Sequence, residues 1–355
     1  MQSITEGKAT VYVNNAVFYN PRMKGLRDLS VSFLKAVGCK DKRVLDATAA
    51  TGIRAIRYAK ECKAKKVVAL DINRDAYDIC RKNIRLNHKS IDARNTSIRE
   101  YASTCRDKFE VIDFDPFGSP APVLHDLLTL CRDGSIIMIT ATDTAVLCGA
   151  HAAACIKMYG SRPLHNELCK EVGIRILLNY VSRTASQFNF GIVPLLSVSD
   201  MHYMRVFVRL EFGASNAVGS VNSSGLGAFC RKCYKFTFAR GIAPGIGEVC
   251  PTCRSKAELF GPLWLGQLYD KGILSKMREN SDLDILRTIS EEYDTLLFYA
   301  VPKITKLLGR SSVSQRRVIE SLLESGKKAT RTQFDIDGVK TDAEPQRILS
   351  LIKKL

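Results

Sequence analysis

The chain has 355 residues, 46% hydrophobic and 25% charged, which excludes a disordered or fibrous polypeptide and allows about two domains with a core that needs no staples. Lys and Arg number 53 against 36 Asp and Glu, a balance of +17, which favours a polyanionic partner, nucleic acid first. The longest apolar runs, such as 136–142, fall far short of the ~20 residues a membrane helix needs, and the first ten residues are polar with no signal core, so a cytoplasmic protein with no membrane and no obligate protein partner is expected.

In chain order, 43–46 reads as a strand ending in Asp46, and 53–62 as a helix with Ile53, Ile56 and Ala59 on one face. A second strand, 66–71, ends in Asp71. A helix follows over 74–87, with Ala76, Ile79, Cys80, Asn83, Ile84 and Asn87 at helical spacing. A strand at 109–113, a helix at 123–131 and a strand at 135–140 continue a βαβαβ rhythm, which predicts a parallel, doubly wound α/β sheet. Two β-rich runs, 191–199 and 203–212, read as an antiparallel hairpin closing that sheet. Residues 214–227 are rich in Gly, Ser and Asn and mark the division between domains 1–213 and 214–355. Helices are expected from about 264 to 325, the last over 312–325 with Ser312 and Gln315 as a capping box. A basic hairpin, 327–340, turns at Asp335-Ile336-Asp337-Gly338. Helix plus hairpin points to a winged-helix-like nucleic-acid-binding module.

The first strand–loop–helix unit carries Asp46-Ala47-Thr48-Ala49-Ala50-Thr51-Gly52-Ile53-Arg54. Small residues let the backbone pass close to a ligand, and the helix presents free N–H groups. Asp71, 25 residues after Asp46, suits a ribose diol. The loop has one glycine where the dinucleotide fingerprint needs three. S-adenosylmethionine, which has no pyrophosphate, fits better than NAD. Asp113-Phe114-Asp115-Pro116-Phe117-Gly118-Ser119-Pro120 lies where an α/β sheet places its ligands. Pro116 biases Asp115 toward extended backbone. Asp115 can accept an N–H from an exocyclic base amine while Phe117 stacks on the base. Strand alternation puts Asp113 on the same side but deeper, where it buttresses the loop.

Eight cysteines scattered between Cys39 and Cys169 read as buried small hydrophobes in a reduced compartment. Cys230-x-x-Cys233 and Cys250-x-x-Cys253 have the spacing of a four-thiolate zinc ribbon at about 228–256. Such a closed site is structural. Arg231, Lys232, Lys235, Arg240, Arg254 and Lys256, with Phe236 and Phe238, suit a phosphate-contacting surface.

These features and several local motifs resemble the tRNA (guanine(26)-N2)-dimethyltransferases in their archaeal form. The resemblance rests on residues 18–23 (Phe-Tyr-Asn-Pro-Arg-Met), 46–54, 71–87 and 113–120. It continues through 140–143 (Thr-Ala-Thr-Asp), 148–151, 261–266 (Gly-Pro-Leu-Trp-Leu-Gly) and 329–334, nearly the whole chain. It implies a class I, Rossmann-like methyltransferase fold with a smaller C-terminal α+β domain, and transfer of one or two methyls from S-adenosylmethionine to N2 of tRNA guanine 26. It also implies cofactor contacts at Arg27, Arg54, Asp71, Ser97 and Ile98; the position matching Ser97 is often Asp in the family. The runner-up is an amino-methyltransferase acting on another base in DNA or RNA. Those enzymes usually carry a second proline where Phe117 stands. A third reading is a zinc-ribbon nucleic-acid-binding protein whose α/β domain is inactive.

Overall fold

The computed structural model of the protein describes residues 2–14, 16–311 and 313–355. The chain opens with a hairpin of β1 (Gln2–Glu6) and β2 (Ala9–Val13), followed by α1 (Lys24–Ala36). Alternating elements then build the central sheet: β3 (Arg43–Asp46), α2 (Ile53–Glu61), β4 (Lys66–Asp71), α3 (Arg74–Leu86), β5 (Asp92–Asn95), α4 (Ile98–Thr104), β6 (Val111–Phe114), α5 (Leu124–Leu128) and β7 (Ile136–Ala141). Three helices follow, α6 (Thr144–Leu147), α7 (Ala152–Tyr159) and α8 (Cys169–Ser186), then β8 (Phe190–Ser199) and β9 (Met204–Phe212). The sheet order is β5-β4-β3-β6-β7-β9-β8. The first five strands are parallel, and β8 and β9 form the expected antiparallel hairpin. Strand order reverses between β3 and β6, which opens a crevice at their C-terminal ends.

The sequence reading missed the N-terminal hairpin, although Ala9, Val11 and Val13 alternate along β2 as its buried face. Asn83 and Asn87 are buried on the inner face of α3. Asn83 accepts from the Tyr12 N–H at 2.7 Å and donates to the Tyr12 carbonyl at 3.1 Å. Asn87 repeats the pair with Thr10 at 3.1 and 2.6 Å. The two amides thus serve β2 as a substitute strand, satisfying backbone groups that burial would otherwise leave unpaired.

Residues 214–227 form regular elements despite their small side chains. α9 (Ala214–Asn222) packs on α8 and β8, and β10 (Ser224–Phe229) is the middle strand of a three-stranded sheet with β11 (Phe236–Arg240) and β12 (Glu258–Trp264). The small residues serve close packing: a Cβ on Gly227 would stand 2.3 Å from the Phe260 ring, and one on Gly225 2.1 Å from the Ala239 carbonyl oxygen.

Beyond lie α10 (Lys271–Asn280), α11 (Asp284–Glu291), β13 (Tyr299–Ala300), α12 (Val301–Leu307), α13 (Gln315–Glu324), β14 (Ala329–Arg331), β15 (Gly338–Thr341) and α14 (Pro345–Lys354). From α11 to β15 the succession helix–strand–helix–helix–strand–strand, with sheet order β13-β15-β14, is that of a winged helix. The α13 cap is Ser314, which accepts from the Arg317 N–H at 3.3 Å; Ser312 lies outside the described residues. Gln315 does not close a capping box, because its side chain donates to the Gly338 carbonyl at 2.6 Å and ties helix to hairpin.

Lys340 is also not a surface cation of that hairpin. It is 2% exposed and bridges Glu171 at 3.2 Å and Glu292 at 3.0 Å. Glu171 in turn holds Arg175 at 2.7 Å, and Arg175 donates to the Trp264 and Gly266 carbonyls. This buried cluster joins α8 to the C-terminal part. The 261–266 motif is one wall of the seam, since the Pro262 carbonyl accepts from Ser161 at 2.7 Å and from Asn179 at 3.2 Å.

Candidate active site

The crevice forms a cleft of about 470 Å³, lined among others by Thr48, Asp71, Ile72, Ser97, Pro116 and Ser119. One wall is the turn after β3. Ala50 and Gly52 have φ of +47° and +77°, and a Cβ on Gly52 would lie 2.6 Å from the Cys80 sulfur, so the single glycine of this loop is required there. Asp71 fastens the turn by accepting from the Ala50 N–H at 2.8 Å, and its other oxygen accepts from Asn73 at 2.9 Å. A carboxylate has about four lone-pair sites, so Asp71 retains acceptor capacity toward the cleft. Ser97 caps α4 by accepting from the Glu100 N–H at 3.1 Å, and Ile98 is the first residue of that helix. Ile72, 74% exposed, adds an apolar wall. The sequence reading missed it, although an apolar residue directly after a strand-ending acid is the signal that marks it.

Arg27 and Arg54 are placed behind the cleft rather than in its lining. Arg27 pairs in bidentate fashion with buried Glu6, at 2.8 and 2.5 Å, and donates to the Asn20 carbonyl. Arg54 donates to Asp115 and to the Thr48 carbonyl at 2.6 Å, and lies 3.4 Å from Asp46 and 3.7 Å from Asp113. Asp113 is fully buried; it takes hydrogen bonds from Tyr58 and, at 2.7 Å, from Arg205, a fully buried residue of β9. Three aspartates therefore share two arginines.

The environments separate these carboxyls. Burial pushes Asp46 up to about 6, opposed by Arg54 and reinforced by Asp113. Burial acts the same way on Asp115, but the charges of Arg54 and Arg205, with the hydrogen bond from Arg54, outweigh it and hold this carboxyl below its ordinary range. One Asp115 oxygen is engaged by Arg54; the other, Oδ1, is buried and has no hydrogen-bond partner.

The loop carrying Asp115 is braced from the 140–143 motif. Thr140 accepts from Arg205 at 2.5 Å, and Thr142 accepts from the Gly118 N–H at 2.6 Å. Ser119 donates to Tyr159 at 2.8 Å, which donates to Asp143 at 2.9 Å. At the loop's tip Phe117 is 75% exposed and meets Phe18, itself 54% exposed, edge to face at 4.6 Å. Phe18 was visible in the sequence only as part of the 18–23 motif.

About the zinc cysteines, the four Sγ atoms of Cys230, Cys233, Cys250 and Cys253 lie within 4.8 Å of one another, with pairs at 3.4 and 3.5 Å. A tetrahedral zinc with bonds of about 2.3 Å needs sulfurs about 3.8 Å apart, so the set fits the ion. Each knuckle closes alike: the Cys230 N–H donates to Lys235 and the Cys250 N–H to Ser255, with Tyr234 and Arg254 at positive φ. The surrounding cations differ from expectation. Arg231 pairs with Glu258, Lys235 with Glu344, and Arg240 donates to the Leu265 carbonyl. Phe236 packs on Phe229 and Tyr299, and Phe238 on Phe260. Their rings hold the ribbon to its neighbours, leaving Lys232, Arg254 and Lys256 as the uncommitted cations of the set among the described residues.

Residues 1–353 match the family model described as N2,N2-dimethylguanosine tRNA methyltransferase. A tRNA (guanine(26)-N(2))-dimethyltransferase of Pyrococcus horikoshii is 35% identical over 99% of this chain and 98% of its own. One of Methanothermobacter thermautotrophicus is 33% identical over 97% and 96%. The solved structure of Trm1 from Pyrococcus horikoshii with S-adenosyl-L-methionine superposes with a TM-score of 0.90 at 36% identity, covering 99% of both chains. Among the described residues, no helix is long and apolar enough to cross a membrane.

Proposed function

The chain belongs to the N2,N2-dimethylguanosine tRNA methyltransferase family, and from that premise we propose that it methylates the N2 amine of guanine 26 in tRNA, once or twice, with S-adenosylmethionine as donor. The free oxygen of Asp115 carries this reading: a buried carboxylate, kept ionised by its neighbours, with unused lone pairs beside the cofactor cleft.

The cofactor supplies an electrophilic methyl. Asp71 accepts from the ribose hydroxyls, while Ile72, Ser97 and Ile98 form the base end of the cleft. Arg54 holds one Asp115 oxygen, so Oδ1 is left to accept a guanine N2–H and align the nitrogen lone pair with the methyl. As the N–C bond forms and the C–S bond breaks, the amine nitrogen becomes cationic and its proton passes to Oδ1. A nitrogen in that state is a far stronger acid than a carboxylic acid, so a weak base suffices. Phe117 and Phe18 present aromatic surface to a base extruded from the tRNA stack, and stacking there offsets part of the unstacking cost. Asp113 meets no substrate in this reading; held by Tyr58 and Arg205, it supports the loop.

We assign 1–213 as the methyltransferase domain and 214–355 as the tRNA-binding part, with the zinc ribbon at 228–256 as a structural element between them. Exposed Arg317 on α13 and Lys327, Lys328 and Arg331 of the hairpin are its phosphate contacts. The protein acts in the cytoplasm. Mass spectrometry of nucleosides from unmodified tRNA transcript, incubated with the enzyme and cofactor, tests the reading. N2-methylated guanosine is expected, and a transcript with adenosine at 26 should stay unmodified. Methylation of a different base, or equal methylation of both transcripts, would overturn it.

A further inference from the structure

The proposed phosphate contacts so far all lie in the C-terminal part, yet a second basic surface lies on the catalytic domain. A groove of about 430 Å³ runs between α3 and the edge strand β5, with Tyr77, Arg81, Arg85 and Arg94 among its walls. The Arg81 guanidinium lies 5.5 Å from the Tyr77 ring centroid and that of Arg74 5.2 Å, so the ring is flanked by two cations. Arg94 is neutralised by Asp92 at 2.7 and 3.1 Å, and Arg74 by Asp78 at 3.1 Å. Arg81 and Arg85 are exposed and have no carboxylate partner among the described residues. β5 is the edge strand beside β4, and its outer backbone groups have no strand partner among the described residues.

We infer that this groove binds the phosphate backbone of the tRNA beside the flipped guanine. The inference rests on the tRNA reading above and extends it to a site on the catalytic domain. Free guanidiniums suit phosphate oxygens in bidentate geometry, and the outward amides of an edge strand are further donors. Position selects RNA over other anions. The groove ends at Asn95, and the cofactor cleft begins at the next residue, Thr96. A polynucleotide delivering one base to that cleft carries its neighbouring phosphates over the adjoining surface. The groove thus gives the substrate a second hold, on the far side of the cofactor from the Asp115 loop.

The test uses the full-length protein and an unmodified tRNA transcript. Arg81→Glu with Arg85→Glu is compared with Lys40→Glu plus Lys65→Glu, an equal change in charge just before β3 and β4, at the end of the sheet opposite the cleft. Affinity for tRNA is measured across a salt series, and S-adenosylmethionine affinity reports folding; Arg81→Gln with Arg85→Gln serves should the reversal lose cofactor binding. The groove variant should bind tRNA roughly 10- to 100-fold more weakly at low salt, with a salt slope smaller by about 1.5–2 as two phosphate contacts are lost. Cofactor affinity should stay unchanged. A groove variant no weaker than the Lys40/Lys65 control, in slope and affinity, would overturn the inference while leaving the tRNA reading intact. Failure of the wild type to bind tRNA at all would overturn both.

Discussion

Asp115→Asn and Asp113→Asn should fail in opposite ways, and the charge arrangement says why. Asp46, Asp113 and Asp115 face Arg54 and Arg205, three acids to two bases. Asp115→Asn brings that cluster to balance, and Arg54 keeps Asp46 at 3.4 Å and the Thr48 carbonyl at 2.6 Å. Stability should therefore hardly change. Turnover should fall by about 10²–10⁴, the usual worth of a general base. Asp113→Asn also brings the count to balance but removes the carboxylate paired with Arg205, 2.7 Å away and fully buried with it. Its amide can offer one carbonyl where two oxygens now serve Tyr58 and Arg205. Breaking a buried pair from one side costs roughly 3–5 kcal/mol, which at about 2–4 °C per kcal/mol lowers the thermal midpoint by about 6–20 °C. Single-turnover methylation with saturating cofactor, beside calorimetric melting of both variants, separates the two roles. If Asp115→Asn reacts near the wild-type rate, or Asp113→Asn is folded, equally stable and inactive, the assignment of roles is wrong.

Asp71→Ala should weaken S-adenosylmethionine binding by roughly 1.5–3 kcal/mol, the range for hydrogen bonds to charged groups; titration calorimetry showing unchanged affinity would reject its ribose role. Elemental analysis should find one zinc per chain, and Cys250→Ser should raise hydrogen exchange across 228–256 while cofactor binding persists, since structural zinc and local folding are coupled. Lys340→Met leaves Glu171 and Glu292 buried without their shared cation and should cost roughly 3–5 kcal/mol. Adding Glu292→Gln should recover part of that loss, and a melting curve unmoved by either change would show that the cluster does not hold the seam. Neutralising Lys327, Lys328 and Arg331 together should flatten the salt dependence of tRNA binding by about 2–3, a result that a wild-type slope would contradict.

The parallel sheet was legible because its strands are continuous apolar runs bounded by acids and small residues. Local periodicity marks such elements, and 66–71 and 136–141 emerge within a residue of where they were expected. Periodicity failed where side chains replace secondary structure. Asn83 on α3 and Asn87 at its C-terminal cap sit at core positions as polar misfits, and β2 accounts for much of their bonding. It failed again where small residues serve close packing inside regular elements, as at Gly225 and Gly227. Lys340 looked like one more cation of a basic hairpin because its acids lie far away in sequence, Glu171 on α8 among them.

The active loop shows the same boundary within a few residues. Spacing of two places Asp113 and Asp115 on one side of β6, the inner one deeper, and that much needs no structure. Which of the two can meet a substrate depends on Arg205 and Tyr58, 92 and 55 residues away. They engage both oxygens of Asp113, which is fully buried with them. Arg54 uses only one oxygen of Asp115 and, by its charge, keeps the other ionised. The chemistry of this site thus turns on the division of two arginines among three carboxylates. The sequence reading names four of those five residues and misses Arg205, and the division depends on which strands the fold brings side by side. Here β9 lies against β7, which itself pairs with β6. That order carries Arg205 to Asp113 and leaves Asp115 one free oxygen.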